Sequence, residues 1–196
     1  DTLPMGVYTG RVTVASQEAP NAPQDVVVTL TINQHTFHVD INSTTAEPPY
    51  LSPATAASSI QVAIDAAGTG SRILVGDGVY DSGGRTYGTY LTTNRLVIDK
   101  DVVVESINGA AHTFIIGAEA AGGGCGDSAV RCVYMSQGTL RGFTLTNGHT
   151  RTGYSAHDMQ GGGVYSAVSL TPKVEDCIII GNRAWGSGGG SGYCTL

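Results

Sequence analysis

Leu140-Arg141-Gly142-Phe143-Thr144-Leu145-Thr146-Asn147-Gly148 aligns with Val174-Glu175-Asp176-Cys177-Ile178-Ile179-Ile180-Gly181-Asn182, and this pair of stretches decides the fold. Each is followed by a glycine triplet, Gly161-Gly162-Gly163 and Gly188-Gly189-Gly190, and the triplets lie 27 residues apart. Self-similarity at such a period is the mark of a solenoid or array. Outward from the pair, the same grammar of short apolar runs broken by glycine continues: Ile73-Leu74-Val75, Leu96-Val97-Ile98, Val102-Val103-Val104, Phe114-Ile115-Ile116, Val133-Tyr134-Met135 and Val164-Tyr165. Strands this short, with no helix between them, have to coil. A propeller blade would need about 40 residues and a Trp-Asp signature, which is absent. The expected fold is all-β, a right-handed parallel β-helix in which each inward apolar side chain stacks on its counterpart one rung away. Asn and Gly then serve the sharp turns, where left-handed backbone is required.

Composition agrees. Of 196 residues 28 are glycine and 13% are charged, a profile of many short strands and tight turns rather than a helical bundle. Ten Lys and Arg against 16 Asp and Glu leave a net charge of −6, and there is no basic stripe, so nucleic acid is an unsuitable partner. No apolar run approaches the roughly 20 residues that span a bilayer, and residues 1–4 do not resemble a signal peptide.

Three regions are expected. Residues 1–34 form a hairpin, with two alternating β-branched strands, residues 7–14 and 25–32, joined by a turn containing Pro20 and Pro23. Residues 35–57 bridge, with Pro48, Pro49 and Pro53 opposing regular structure. Residues 58–196 form the β-helix. It opens on an amphipathic helix, with Ser58 and Gln61 as a capping box, Ile60, Ala63, Ile64 and Ala67 as an apolar stripe, and Gly68 as a left-handed stop. Covering the open first rung is the role this reading gives to Ile60 and Ile64.

Two resemblances follow from these residues. The paired strands at 7–14 and 25–32 resemble the closing hairpin of a bacterial immunoglobulin-like sandwich module, whose earlier strands are expected elsewhere. The helix at 58–67, then Ile73-Leu74-Val75 with Gly78-Val79-Tyr80, then Leu96-Val97-Ile98-Asp99-Lys100, resembles the capped start of a pectate-lyase-like β-helix. The stretch from Asp176 to Ala184 with its glycine triplet is similar to repeats of polymorphic outer-membrane proteins and other large bacterial surface β-helix proteins. The resemblance implies a secreted or cell-surface protein with a structural or adhesive role. Such coils also carry lyases and hydrolases, so the alternative is the N-terminal part of an enzyme acting on acidic polysaccharide.

Candidate chemistry is sparse, and no catalytic residue, metal site or cofactor is assigned. Asp99, Lys100 and Asp101 read as a solvated turn rather than two carboxylates and a base, and Glu175 and Asp176 read as surface ion-pairing residues near Arg183. The preferred glycan-contact candidates are Tyr80, Arg85, Tyr87 and Tyr90 in residues 80–90, whose aromatic faces stack on sugars while Arg85 pairs with carboxylates. Tyr154, His157 and Asp158, in an insertion at residues 150–160, are a second set. Cys125 and Cys132 flank a Gly-rich loop and are the candidate disulfide. The expected partners are polysaccharide, other surface proteins or further copies of the chain, joined head to tail through an unfinished hairpin and an uncapped last rung.

Overall fold

The structure is a computed structural model that describes residues 6–17, 21–32, 35–153, 155–166 and 172–192. The chain divides into two units between residues 34 and 35. The first is an antiparallel hairpin of β1 (Gly6–Val14) and β2 (Gln24–Ile32). Its period-two pattern sorts side chains by face. Tyr8, Val12, Val14, Val26, Val28 and Leu30 share one face, while Arg11 and Thr13 hold Asp25 on the other at 2.9 and 2.6 Å.

The second unit is a parallel β-solenoid of about four turns. One sheet stacks β3 (Thr36–Val39), β4 (Arg72–Val75), β7 (Val103–Ser106), β10 (Thr139–Arg141) and β13 (Lys173–Glu175). A second stacks β5 (Gly78–Tyr80), β8 (Thr113–Ile116), β11 (Thr144–Thr146) and β14 (Ile178–Ile180). The third stacks β6 (Thr93–Ile98), β9 (Val130–Met135), β12 (Val164–Ser166) and β15 (Ser191–Gly192). Two short α-helices, α1 (Ile60–Ala66) and α2 (Ala156–Met159), and one 3-10 turn at Pro53–Thr55 complete the elements among the described residues. Among the described residues no helix is long and apolar enough to cross a membrane.

Register makes the core. Phe37, Ile73, Val104, Leu140 and Val174 stack in one inward column; Tyr80, Ile115, Leu145 and Ile179 form another; Leu96, Val133 and Val164 form a third. Burying each large aliphatic side chain contributes about 1.5–3 kcal/mol. The aligned stretches are indeed neighbouring rungs, with Leu140 beside Val174 and Thr144 beside Ile178. Their turns use matched left-handed positions, Gly142 and Asp176 at φ 76 and 51°, then Asn147 and Gly181 at 55 and 67°. The glycine triplets serve the turns as expected, and for a second reason too. Consecutive turns pass so closely that a Cβ at Gly162 would collide with the carbonyls of Gly148 and Arg183. On the outer face of the first sheet, Glu105 takes Arg72 at 2.8 Å, and Glu175 pairs with Arg141 rather than with Arg183.

Three expectations change. The bridging stretch is part of the coil, because β3 pairs with β4 and supplies the first strand of the first sheet. The capping box of Ser58 with Gln61 does not form. The N-cap is Ser59, without a side-chain bond, and α1 runs out into extended backbone at Ala67 with no left-handed Gly68.

The solenoid supplies the C-terminal cap, while Gln61 is turned to a different task. The Gln61 side chain pairs with the exposed edge of β6 like a strand residue, accepting from Val97 N at 2.8 Å and donating to Val97 O at 3.2 Å. Lys100 closes the other end of α1, its Nζ donating to the carbonyls of Ile64, Asp65 and Ala67 at 2.8–2.9 Å. Carbonyls of a last helical turn run short of intrahelical partners; of these three, Ile64 O also accepts from Ala67 N at 3.2 Å. The cap therefore rests on Ile60 and Ile64, which are buried as expected, and on two polar locks. Lys100→Met keeps the stem but removes all three donors. It should destabilise the chain by about 1–3 kcal/mol, measured as a lower midpoint in urea unfolding.

Candidate functional site

Period two also governs the outside of the third sheet. In β6, β9 and β12 the residue that follows inward Leu96, Val133 or Val164 points away from the core, and register places Val97, Tyr134 and Tyr165 in one outward row. Two long connections close over this row: residues 81–92, between β5 and β6, and the described part of residues 150–160, which contains α2. Tyr87 from the first stacks on Tyr134 with ring centroids 4.3 Å apart and planes at 24°. Tyr90 stacks on His157 from the second, at 4.4 Å and 17°. His157 Nδ1 lies 2.6 Å from the Tyr165 hydroxyl, with the two rings edge to face. Tyr134 and Tyr165 are fully buried beneath, whereas Tyr87, Tyr90 and His157 stay half-buried at the surface.

Two ionisable groups hold the connections in place. Asp158 is buried, and its carboxylate accepts from Leu91 N at 2.7 Å, Thr92 N at 2.8 Å and Ser155 Oγ at 2.9 Å, while Thr92 Oγ1 donates to Asp158 O. One side chain thus ties the first connection to the second. Burial alone would raise its pKa, but these hydrogen bonds outweigh burial and hold it below the ordinary carboxylate value. Arg131, fully buried in β9, donates to Gly161 O, Asn94 Oδ1, His157 O and Gln160 O at 2.7–2.8 Å. Its guanidinium carbon sits 4.8 Å from the centre of the Tyr165 ring. Burial pushes its pKa down to about 10, so it remains a cation at neutral pH.

The predicted residues therefore divide. Tyr87, Tyr90 and His157, drawn from separate candidate sets, come together. Tyr80 does not join them, because its parity in β5 turns it into the core column, where its hydroxyl donates to Gly76 O at 3.0 Å. Arg85 turns toward α1 and binds Asp65 at 3.1 Å, with Asp99 at 3.7 Å. Tyr154 lies outside the described residues. The Cys125–Cys132 bond is not formed and both thiols are free. Cys132 faces inward in β9, donating to Thr146 O at 3.2 Å, and burial pushes its pKa up to about 12. Cys125 instead lies 3.8 Å from Arg183 O.

The sequence reading gives Tyr134 and Tyr165 only a place in strands, although a tyrosine beside an inward residue signals an outward ring. Arg131 carried no such signal. Among the described residues no group of three or more His, Cys, Asp or Glu could hold a metal ion. Comparison of the chain with protein-family models, curated proteins and solved structures finds no match.

The Asp158 clamp has a defined acid limit. Because its native pKa is depressed, its contribution is complete above the unfolded value near 4, roughly, and disappears as pH falls through the lower native value. Near-UV circular dichroism of the stacked tyrosines should therefore weaken in that window. Asp158→Asn should lose about 1–3 kcal/mol at neutral pH and show little further change there.

Proposed function

We propose that this chain is a structural and binding module of an extracellular or cell-surface protein, and that its working surface is the aromatic platform of Tyr87, Tyr90 and His157. The ligand class is glycan. The observation that carries the reading is the convergence of two separate connections on one tyrosine row, pinned by Asp158 and Arg131, with three rings left half-exposed. Closing the outer face of a sheet needs only aliphatic cover. Aromatic rings held at the surface by buried hydrogen bonds offer a flat, pre-positioned face whose π-cloud attracts the weakly positive C–H side of a pyranose. Preorganisation lowers the entropy lost on binding.

The pectate-lyase-like and immunoglobulin-like resemblances fit this role, since a rigid coil carrying flank loops is a scaffold for contacts. The enzyme alternative gains nothing from Lys100 and Glu175, which are engaged with the α1 carbonyls and Arg141 respectively.

The test is calorimetric titration of the folded chain against soluble polysaccharides, repeated with Tyr87→Ala. Saturable binding weakened about tenfold or more by the substitution, as loss of a central aromatic contact implies, is the expected result. Binding that is absent, or indifferent to both Tyr87→Ala and Tyr90→Ala, contradicts it.

A further inference from the structure

We infer that the platform selects uncharged sugar units over uronic acids, an inference that rests on the glycan-contact reading of this surface. A uronate carboxylate is recognised by a cation that can spare a fork of donors, most often arginine. The cations placed around the platform are already committed.

Arg85, two residues before Tyr87, is the side chain the sequence offers for that task. Its guanidinium instead donates to both Asp65 oxygens, at 3.1 and 3.3 Å, with Asp99 Oδ2 at 3.7 Å. Arg85 is thus matched by two carboxylates, and Lys100 is bound to the Asp65 backbone carbonyl beside them, so that corner has no uncommitted cation to offer a ligand. Arg131 lies nearest the rings, but it is fully buried and four of its N–H groups are spent on protein oxygens. The Asp158 carboxylate is also close enough to hold its charge. Arg95 is turned to the carbonyls of Ile116 and Gly83, and Arg151 binds Asp127 through its backbone oxygen at 2.8 Å and its carboxylate at 2.6 Å. Lys100 is consumed by α1.

His157 is stacked on Tyr90 with its Nδ1 engaged by the Tyr165 hydroxyl at 2.6 Å, so what a ligand meets is chiefly the negative π-face of tyrosine and the field of a chain of net charge −6. Both repel a carboxylate and neither penalises a neutral ring. A half-exposed arginine beside aromatics would suggest an acidic-sugar site, and the two aspartates reverse that expectation.

The experiment titrates tyrosine fluorescence of the intact chain with neutral hexasaccharides of glucose, xylose and mannose, and with hexagalacturonate. At least one neutral hexasaccharide should bind about tenfold more tightly than hexagalacturonate at low salt, with the gap narrowing as salt screens the repulsion. The double variant Asp65→Asn, Asp99→Asn releases Arg85 and should improve hexagalacturonate binding about two- to fivefold, leaving neutral binding unchanged. Hexagalacturonate binding as tightly as the best neutral sugar overturns the selectivity while leaving the glycan reading intact. No binding of either class overturns both. Neutral selectivity without a gain in the double variant overturns the part given to Arg85.

Discussion

Parallel stacking in register is the constraint on which everything else depends. Once Leu140 lies beside Val174 and Ile115 beside Leu145, each inward position must be apolar on every rung, and each outward position inherits a neighbour above and below. The same rule creates a problem at the first rung, whose strands lack a partner on one side. The chain solves it locally. Gln61 supplies an amide to the bare edge of β6, α1 lays Ile60 and Ile64 on the core, and Lys100 ties the helix end back to the coil. The turns between sheets face a tighter limit still, and glycine at 148 and 162 is what lets successive backbones pass.

The platform follows from that constraint rather than being added to it. Register alone aligns Tyr134 with Tyr165 on the outside of the third sheet. Two connections from different turns of the coil then reach the same row because the turns are stacked. What converts proximity into a fixed surface is a pair of buried charges. Asp158 receives two backbone N–H groups of one connection while belonging to the other, and Arg131 collects the carbonyls at both ends of residues 157–161. Removing either partner of such a network leaves buried polar groups unmet, which costs more than the bonds contribute on balance. The surface is thereby held in one geometry, and the rings have little ordering entropy left to lose when a ligand arrives.

Much of this was legible in the sequence. The aligned stretches revealed the coil because strand stacking is a one-dimensional rule that leaves its period in the chain. Ile60 and Ile64 were legible because an apolar stripe has few uses on a short helix. The first strand, Thr36–Val39, was missed because its four residues precede a proline-rich stretch and no earlier rung announces the repeat. The polar locks were invisible for a different reason: Gln61 and Lys100 act on partners more than 30 residues away, and local capping rules speak only for neighbours. Tyr80 and Tyr87 look alike in sequence, yet the parity of a three-residue strand sends one to the core and leaves the other outside. The pairing of Arg85 with Asp65 and Asp99 likewise depends on where α1 lies.

The central claim is that a clamped tyrosine platform on a β-solenoid receives a sugar ring. The most direct measurement is a crystal structure of the chain with the tightest-binding neutral oligosaccharide. The account predicts a pyranose ring lying flat against Tyr87 or Tyr90, with Asp158 still bonded to the Leu91 and Thr92 amides. A sugar seated elsewhere, or a platform whose two connections have separated, would contradict it.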